Sequence, residues 1–441
     1  MRDDWAEVEL NKVLIQTKEK HKPEKIESLF YIGLEHIEKF SGSLTSNVSF
    51  SEIKTVKNKF FKGQILYGKL RPYLNKVYLA NESGVCSTDI LVFEVSQALI
   101  GKFGWWFMLS RKFVNDMSEN TNGVNLPRVS TKYVNSYSFP LPPLPEQRAI
   151  VAKIEALFTG LDKGIADIKT AQAQLKIYRQ AVLKKAFEGE LTSTKMGVRT
   201  LESLTVIITK GASPKWQGFD YTADESGLLF ITSENIREGY ISLKREKYLP
   251  VEFNQIQKRS VLQRGDVLFN IVGASIGRAA IFEFDKLSNI NQAVSLIRLN
   301  KEVSNQYVNY FLNSDGAKQG YLEKQVEVAR ANLSLQNVKD IEIPFCSEAE
   351  QKRVIREIES RLSVCDKVEQ TIAESLEKAE ALRQSILKKA FEGRLLSEAE
   401  IAACKAEKDY QPASALLAKI IAEKNESEKN KAGKNKAGKN K

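Results

Sequence analysis

The sequence predicts an α+β fold in which two mixed α/β domains are separated by two long antiparallel coiled-coil helices, arranged as a pseudo-twofold internal repeat. A repeated segment, a seven-residue apolar period and several short β-rich runs predict this fold. The segment LKKAFEGEL at Leu183–Leu191 returns as LKKAFEGRL at Leu387–Leu395, identical at eight of nine positions and offset by 204 residues. A repeat of this quality indicates a duplicated structural unit.

The repeat extends upstream of these two segments. At the same offset Glu146-Gln147 matches Glu350-Gln351, and Arg179-Gln180 matches Arg383-Gln384. Weaker matches keep the same order, with YIGLEHI (31–37) parallel to FITSENI (230–236) and KGQILY (62–67) parallel to RGDVLF (264–269). The predicted organisation is a globular domain at 1–144, a long helix at 145–191, a second domain at 196–344, a second helix at 345–395 and an extension at 396–441.

Each predicted long helix carries apolar residues at every seventh position, the spacing of a helix packed lengthwise on another. Because a globular domain separates the two helices along the chain, we expect an antiparallel pair. Pro145 suits a first helical turn, Ser347 and Glu350 have capping-box spacing, and Gly189 and Gly393 suit the C-terminal ends. The predicted seam residues are Ile154, Leu161, Ile168, Leu175, Val182, Ile358, Ile372, Leu382 and Ile386.

A second seam row is predicted from Leu157, Ala171 and Tyr178 on the first helix, where Gly164 interrupts it, and from Val368 and Leu382 on the second. The seam of the second helix also contains the small residues Cys365 and Ala379. We therefore expect helices of a partner to complete the bundle.

The two predicted domains contain short β-rich runs separated by Gly and Asn rather than sustained helical periodicity. These runs lie at 77–79, 90–95, 267–272 and 293–299. They predict mixed α/β domains with several short strands and exposed loops.

Composition favours a polyanionic partner. The formal net charge is +11 and the isoelectric point is about 9.2, which fits nucleic acid most simply. The final residues 429–441 repeat KNKAG and are expected to be disordered. No apolar stretch approaches the ~18 residues of a membrane span, so no membrane partner is expected.

Catalytic and metal-binding motifs are missing from the sequence. Only two histidines and four widely spaced cysteines occur, which argues against a zinc site and fits reduced structural thiols in the cytoplasm. No P-loop and no Asn/Asp-Pro-Pro-aromatic motif appears. We expect no catalytic residues, no metal and no cofactor on this chain, although carboxylates abundant enough for an unrecognised nuclease site leave that alternative open.

Candidate DNA contacts in the first domain lie in YGKLRPYLNK (67–76) and NLPRVSTKY (125–133). Lysine and arginine neutralise phosphates, and arginine also presents paired donors to guanine. The same segments suit an ordinary amphipathic strand and turn, and Asn is common in turns. The candidates are Lys69, Arg71, Tyr73, Lys76, Asn125, Arg128 and Lys132.

Candidates in the second domain lie in KGASPK (210–215), GASIGR (273–278) and ARANLS (329–334). Glycines let a backbone approach a phosphate closely, and Asn can pair with adenine. Trp216, beside the first of these runs, could stack on a ligand, but burial in packing is the commoner use of a tryptophan and is the expectation here. The candidates are Lys210, Lys215, Gly273, Arg278, Arg330 and Asn332.

The helix motifs carry a family resemblance. PLPPLPEQRAIVAKIEALF (140–158) opens the first helix and RQAVLKKAFEGELT (179–192) closes it, while SENIREGYI (233–241) and RGDVLF (264–269) lie in the second domain. Together they resemble the specificity subunit of type I restriction–modification systems. The resemblance covers almost the whole chain to about Leu396; the Lys-rich tail departs from it.

The resemblance implies a function. Each globular domain would be a target-recognition domain that reads one half of a bipartite, asymmetric double-stranded DNA site, and the helices would set the gap between the half-sites. Two methyltransferase subunits carrying S-adenosylmethionine would dock on the helices, and two restriction/translocase subunits would use ATP and Mg. A coiled-coil scaffold with two protein-binding heads is the alternative from another class, and it predicts no affinity for DNA.

Overall fold

Apolar residues alternating along short runs form strands, and apolar residues at seven-residue spacing form two long helices. The computed structural model describes residues 2–23, 27–322, 332–418 and 421–422. Arg330 and the Lys-rich segment 429–441 lie outside these residues. Internal contacts group the chain into unit 1, Met1–Asp167 with Ser375–Lys441, and unit 2, Ile168–Glu374.

Unit 1 contains short strands and three short helices before the first long helix. The strands are β1 (Ala6–Glu9), β2 (Leu14–Gln16), β3 (Lys20–His21), β4 (Glu27–Ile32), β5 (Phe50–Ile53), β6 (Lys57–Phe60), β7 (Ile65–Gly68), β8 (Val77–Leu79), β9 (Gly84–Cys86), β10 (Ile90–Val95), β11 (Thr121–Asn122), β12 (Arg128–Val129) and β13 (Ser138–Leu141). The helices are α1 (Gly101–Leu109), α2 (Arg111–Glu119), α3 (Thr131–Ser136) and α4 (Leu144–Phe187), whose second half belongs to unit 2.

Among the described residues, unit 2 repeats this order in part, with fewer strands and with an additional short helix between its fourth and fifth strands. Its strands are β14 (Gly197–Thr200), β15 (Thr205–Lys210), β16 (Leu228–Ile231), β17 (Tyr248–Leu249), β18 (Val267–Asn270), β19 (Ala279–Ile281), β20 (Ser288–Ile290), β21 (Val294–Leu299) and β22 (Glu342–Phe345). Its helices are α5 (Phe253–Ile256), α6 (Asn305–Leu312), α7 (Asp315–Leu322), α8 (Leu335–Lys339) and α9 (Glu348–Phe391), whose second half belongs to unit 1 with α10 (Glu398–Lys405).

The two units share a four-stranded sheet and a two-stranded ladder, whereas a further mixed sheet differs, with the order β3-β6-β9-β4-β5 in unit 1 and β17-β16-β20 in unit 2. A four-stranded antiparallel sheet has the order β2-β10-β7-β8 in unit 1 and β15-β21-β18-β19 in unit 2. A two-stranded ladder, β1-β13 or β14-β22, immediately precedes each long helix. The β-rich runs predicted from the sequence are strands of these sheets, so the predicted mixed α/β domains are confirmed.

Aromatic side chains pack each sheet-and-helix core against the last turn of a long helix. Phe391 contacts Phe103 and Phe107 with ring centroids 5.2 Å apart in both pairs. In unit 2 Phe187 contacts Tyr307 at 5.1 Å and Phe311 at 5.2 Å. These positions are related by the 204-residue offset, so the duplication is preserved in the packing.

A buried glutamine anchors the start of each long helix. Gln147 accepts a hydrogen bond from Ile100 N (2.7 Å) and donates to the carbonyls of Ala98 (2.9 Å) and Pro142 (2.8 Å). Gln351 makes the same three bonds one repeat later, with Ser304 N, Glu302 O and Cys346 O. Because both glutamines are fully buried, these bonds satisfy amide groups that water cannot reach.

The ends of the helices follow the sequence predictions closely. Ser347 and Glu350 form the capping box, with Ser347 N donating to the Glu350 carboxylate at 3.1 Å. Gly189 (φ 80°) and Gly393 (φ 72°) take the left-handed conformation that ends a helix with little strain. Within the described residues, no helix is both long and apolar enough to cross a membrane.

The seam of the helix pair differs from the prediction in its second row. Ile154, Val182, Ile358, Ile372 and Ile386 are buried, whereas Leu161, Ile168 and Leu175 are partly buried. Leu382, however, is 50% exposed, so its assignment to the seam is wrong.

The second row instead lies three residues before the first. It contains Phe158, Ile165, Gln172, Arg179 and Ala186 on α4, and Leu362, Leu376, Arg383 and Ala390 on α9. Leu157, Tyr178 and Val368 are exposed on the outside of the pair. Hydrophobicity alone pointed to the wrong row because the true one includes small, polar and cationic side chains.

The C-terminal extension is a clasp on unit 1, formed by residues 396–417. Lys153 on α4 donates to Glu400 at 2.6 Å, and Arg148 contacts Asp409 at 2.9 Å. The Cys404 thiol is buried and lies 3.7 Å from Pro145 O. The clasp thus covers the first turns of α4.

Candidate nucleic-acid interface

Two loops of unit 1 meet at the edge of the four-stranded sheet where β7 ends. The β7–β8 loop (69–76) runs beside the hairpin β11–β12, because Arg71 N donates to Pro127 O (2.7 Å) and Val129 N to Lys69 O (3.1 Å). Lys69 N in turn donates to Asp89 O at 3.0 Å. We call this arrangement the loop frame of unit 1.

The loop frame gathers a charged cluster. The Asp89 carboxylate accepts two hydrogen bonds from the Arg128 guanidinium, at 3.1 and 3.2 Å, and lies 3.8 Å from Lys69 Nζ. The hydrogen bond from Arg128 lowers the pKa of Asp89. Asp89 therefore stays ionised, holds Arg128 in a fixed orientation and leaves one net positive charge on the cluster. Sequence inspection missed Asp89, since a single acid has no distinguishing motif.

Other candidates of the first domain have different environments. Arg71 is exposed and adopts φ 52°, a left-handed conformation that few non-glycine residues take. Tyr73 is half exposed. Lys76 is partly buried, its ammonium donates to the Leu34 carbonyl, and burial lowers its pKa. The Lys76 ammonium thus points into the protein, which restricts the access of a ligand to it.

The hairpin tip carries apolar side chains into solvent. Val124 is 99% exposed and Leu126 is 46% exposed, on either side of the exposed candidate Asn125. Lys132 is exposed on α3, just beyond the hairpin. The tip and the charged cluster belong to one continuous surface, because Leu70 forms a bridge with Arg128 at the hairpin base.

Unit 2 has the same loop frame with different side chains. Ile271 N donates to Ala293 O (3.0 Å), Leu333 N to Ile271 O (2.9 Å), and Val272 forms a bridge with Asn332. The loop closes through Asn270 N to Arg278 O at 2.9 Å, as Gly68 N to Lys76 O closes the loop of unit 1 at 2.9 Å. Ile271, Ala293 and Asn332 therefore replace the charged residues Lys69, Asp89 and Arg128.

The predicted residues of unit 2 lie on this frame and on the loop that follows β15. Gly273 is exposed with φ 78° and has open space where a side chain would be. Arg278 is partly exposed and Asn332 is exposed. Lys210 is exposed at the end of β15, and Lys215 is exposed on the loop that follows. The predicted burial of Trp216 is wrong, because its side chain is 83% exposed.

Comparison with known proteins identifies the family. The family described as type I restriction modification DNA specificity domain matches residues 2–170 and 198–378. The chain belongs to this family. The two matched segments coincide with the two repeats, so each repeat is one specificity domain.

Relatives and solved structures of this family cover nearly the whole chain. The Type I restriction enzyme EcoBI specificity subunit of Escherichia coli is 29% identical over 372 residues, 80% of this chain and 78% of its own length. A chain solved for complex assembly and conformational transition of the type I R-M system has a TM-score of 0.73, at 21% identity, over 90% of this chain and 99% of its own.

The HsdS subunit from Thermoanaerobacter tengcongensis has a TM-score of 0.52 at 22% identity, covering 90% of this chain and 98% of that subunit. The specificity-domain fold is therefore shared across the chain. Family membership also sets aside the scaffold alternative.

Proposed function

We propose that the chain is the DNA-reading, non-catalytic subunit of a cytoplasmic type I restriction–modification complex. Each specificity domain reads one half of an asymmetric bipartite site in double-stranded DNA through its loop frame. The chemistry belongs to two methyltransferase subunits that use S-adenosylmethionine and two restriction/translocase subunits that use ATP and Mg.

The observation that carries this proposal is the pair of loop frames. Three backbone hydrogen bonds and one β-bridge of the first frame recur at corresponding described positions of the second, whereas Lys69, Asp89 and Arg128 become Ile271, Ala293 and Asn332. A constant backbone with exchanged side chains is what two readers of different base sequences require, because base edges are read by side chains.

The outer face of the helix pair supports docking of partner helices. In unit 2 the side chains of Ile177, Tyr178, Val364 and Val368 are exposed on α4 and α9. Exposed apolar residues that form one patch are typical of an interaction site. We propose that a helical part of a methyltransferase subunit covers them, and that the ~66 Å length of each 44-residue helix sets the spacing of the half-sites.

Methylome sequencing of cells with and without this chain tests the proposal. Loss of methylation at one bipartite motif is the expected result, and it gives the motif. Arg128→Ala and Asn332→Ala then identify the reading domain: Arg128→Ala should relax only one half of the motif and Asn332→Ala only the other.

A control variant distinguishes a loss of base reading from a loss of folding. Val206→Ala, which changes an exposed residue of β15 away from the loop frame, serves as the control and should leave the motif intact. An unchanged methylome after deletion refutes the proposal. Co-purification of the translocase subunit distinguishes a restriction complex from one that only methylates.

A further inference from the structure

Trp216 is the large apolar residue least explained by the folding of unit 2. It lies on a short 3₁₀ turn, Lys215–Gln217, and is 83% exposed. Burying an aromatic side chain is worth a few kcal/mol in a core, so a tryptophan held in water gains nothing from folding. We infer that Trp216 is a DNA-contacting residue whose indole ring packs on bases and sugars of the duplex read by unit 2. This inference rests on the proposed function.

Three backbone hydrogen bonds hold the turn that carries Trp216. Gln217 N donates to Pro214 O at 2.9 Å, Gly218 N to Lys215 O at 3.2 Å, and Phe219 N to Pro214 O at 3.0 Å. Phe219 then packs on the buried ring of Phe253, with centroids 5.4 Å apart. The neighbours on both sides are thus anchored, and the exposure of Trp216 is a property of the fold rather than of a loose loop. Because the backbone that carries the ring is already ordered, binding does not have to order this turn.

The segment that carries Trp216 follows β15 at the end of the four-stranded sheet where the loop frame of unit 2 lies. Gly211 follows the end of β15 and lies directly against the carbonyl oxygen of Ile290, where any side chain would collide with the backbone. Gly211 N also donates to Val294 O at 3.4 Å, one residue after the frame residue Ala293. The Trp216 loop and the Asn270–Arg278 loop therefore start from the same edge.

The positive charge near Trp216 favours DNA over an apolar protein as the ligand. Lys210 and Lys215 are exposed on either side of the loop, and neither pairs with a carboxylate in the described part of the chain. Two unpaired ammonium groups beside an exposed indole combine phosphate neutralisation with an apolar surface for sugars and base edges. An apolar protein partner would not need the two cations, so duplex DNA is the ligand that both features fit.

Intrinsic fluorescence reports on this residue directly. Of the four tryptophans, Trp5 and Trp106 are buried, Trp105 is partly buried, and Trp216 alone is exposed. The experiment uses the full chain in complex with its methyltransferase subunits and a duplex that carries the bipartite motif. Subtracting the spectrum of the Trp216→Phe complex isolates the signal of this ring, because all other tryptophans cancel.

The expected result is that the duplex changes this difference signal and protects it from acrylamide. Trp216→Ala should bind the duplex about 10- to 100-fold more weakly, the range for burying one large apolar side chain, and Trp216→Phe should lose less. Val206→Ala, an exposed apolar residue near the other end of β15, should bind like wild type.

The outcomes separate this inference from the proposed function. If wild type binds the duplex but the difference signal and the affinity of Trp216→Ala are unchanged, the Trp216 contact is refuted and the proposed function stands. A weakened Trp216→Ala with an unchanged signal also refutes ring contact. If wild type shows no salt-dependent binding of any duplex, the proposed function fails first.

Discussion

Arg179 pairs with Asp366 across the antiparallel helices, with guanidinium nitrogen and carboxylate oxygen 2.5 Å apart. One repeat later the same pair recurs in the other unit, where Arg383 contacts Asp162. The arginine stands in the seam row and the aspartate at its exposed edge, 26% and 69% exposed in unit 2. Each pair therefore fixes the lengthwise register of the two helices at a position that apolar packing alone leaves weakly defined.

Charge reversal tests the register function of this pair. Arg179→Asp should lower the melting temperature of the chain, and adding Asp366→Arg should restore much of the loss. Because Asp366 is largely solvent-exposed, a double-mutant cycle should give a coupling free energy of only about 0.5–1 kcal/mol. Thermal unfolding of the four variants measures it.

The i,i+4 pair Glu348–Lys352 supplies a control, since it joins two residues of one helix and fixes no register. Its coupling should be about 0.3–0.5 kcal/mol. Additive effects at Arg179 and Asp366, with no recovery in the double variant, would show that the pair contributes nothing to the register.

The boundaries of the two long helices could be predicted from the sequence more accurately than the face on which they pack together. Periodicity, the capping box at Ser347 and the glycine stops predicted α4 and α9 to within a few residues, because these signals are local. The second seam row escaped prediction since Gln172 and Arg179 are not apolar. Which face of a helix is buried depends on its partner, and the chain alone does not state the partner.

The candidate site was predicted only in part for a similar reason. Basic residues marked the loop that contains Lys69 and Arg71, yet Asp89 became visible only when three separated segments met on the sheet edge. Trp216 was expected in a core because most tryptophans are buried. Its exposure follows from the anchoring of Pro214 and Phe219, a tertiary arrangement without a local signal.

The corrected seam predicts opposite results for two neighbouring apolar residues. Ile372→Asp places a charge in a buried seam position and should cost roughly 3 kcal/mol of unfolding free energy. Val368→Asp changes an exposed residue on the outside of the same helix and should stay within about 0.5 kcal/mol. Denaturant unfolding monitored by circular dichroism distinguishes them.

Although Val368→Asp should leave stability nearly unchanged, it should weaken binding of the methyltransferase subunit. A folded Val368→Asp chain is expected to recover less methyltransferase subunit in co-purification, because the charge lies on the proposed docking face. If both substitutions destabilised the chain equally, Val368 would belong to the seam, as first predicted from the sequence.

Asp89 is predicted to sharpen base reading by holding Arg128. In Asp89→Asn the carboxylate charge is lost, so Arg128 and Lys69 can turn to other acceptors and to phosphates. One half of the methylated motif should become degenerate while binding to unrelated duplexes strengthens and grows more salt-dependent. Methylome sequencing and binding titrations at two salt concentrations measure both effects.

Glu202→Gln is the matched control for this change. It removes a carboxylate that pairs with Lys339 at 2.8 Å, on unit 2 and outside the loop frame. Its motif should be unchanged. An intact motif in Asp89→Asn itself would mean that Arg128 is oriented by the backbone alone.

The clasp on α4 is predicted to open in acid. The hydrogen bond from Lys153, helped by those from Ser397, lowers the pKa of Glu400 to about 2, and contacts with Arg148 lower the pKa of Asp409. A carboxylate whose pKa is lower in the folded state stabilises the fold above its unfolded pKa and loses that contribution as pH falls. For Glu400 the loss should run from about pH 4.5, its ordinary value, down to about pH 2.

This opening can be measured by labelling the buried Cys404 thiol with a disulfide reagent that reacts in acid. Cys404 should be protected at neutral pH and become reactive as the pH falls through this range, whereas Cys86, buried in the sheets of unit 1, should stay protected. Glu400→Gln keeps the capping-box acceptor for Ser397 but not the charge, so it should expose Cys404 more at neutral pH and respond less to acid. Labelling of Cys404 that is independent of pH and of this substitution would show that the apolar contacts of α10, and not its carboxylates, hold the clasp.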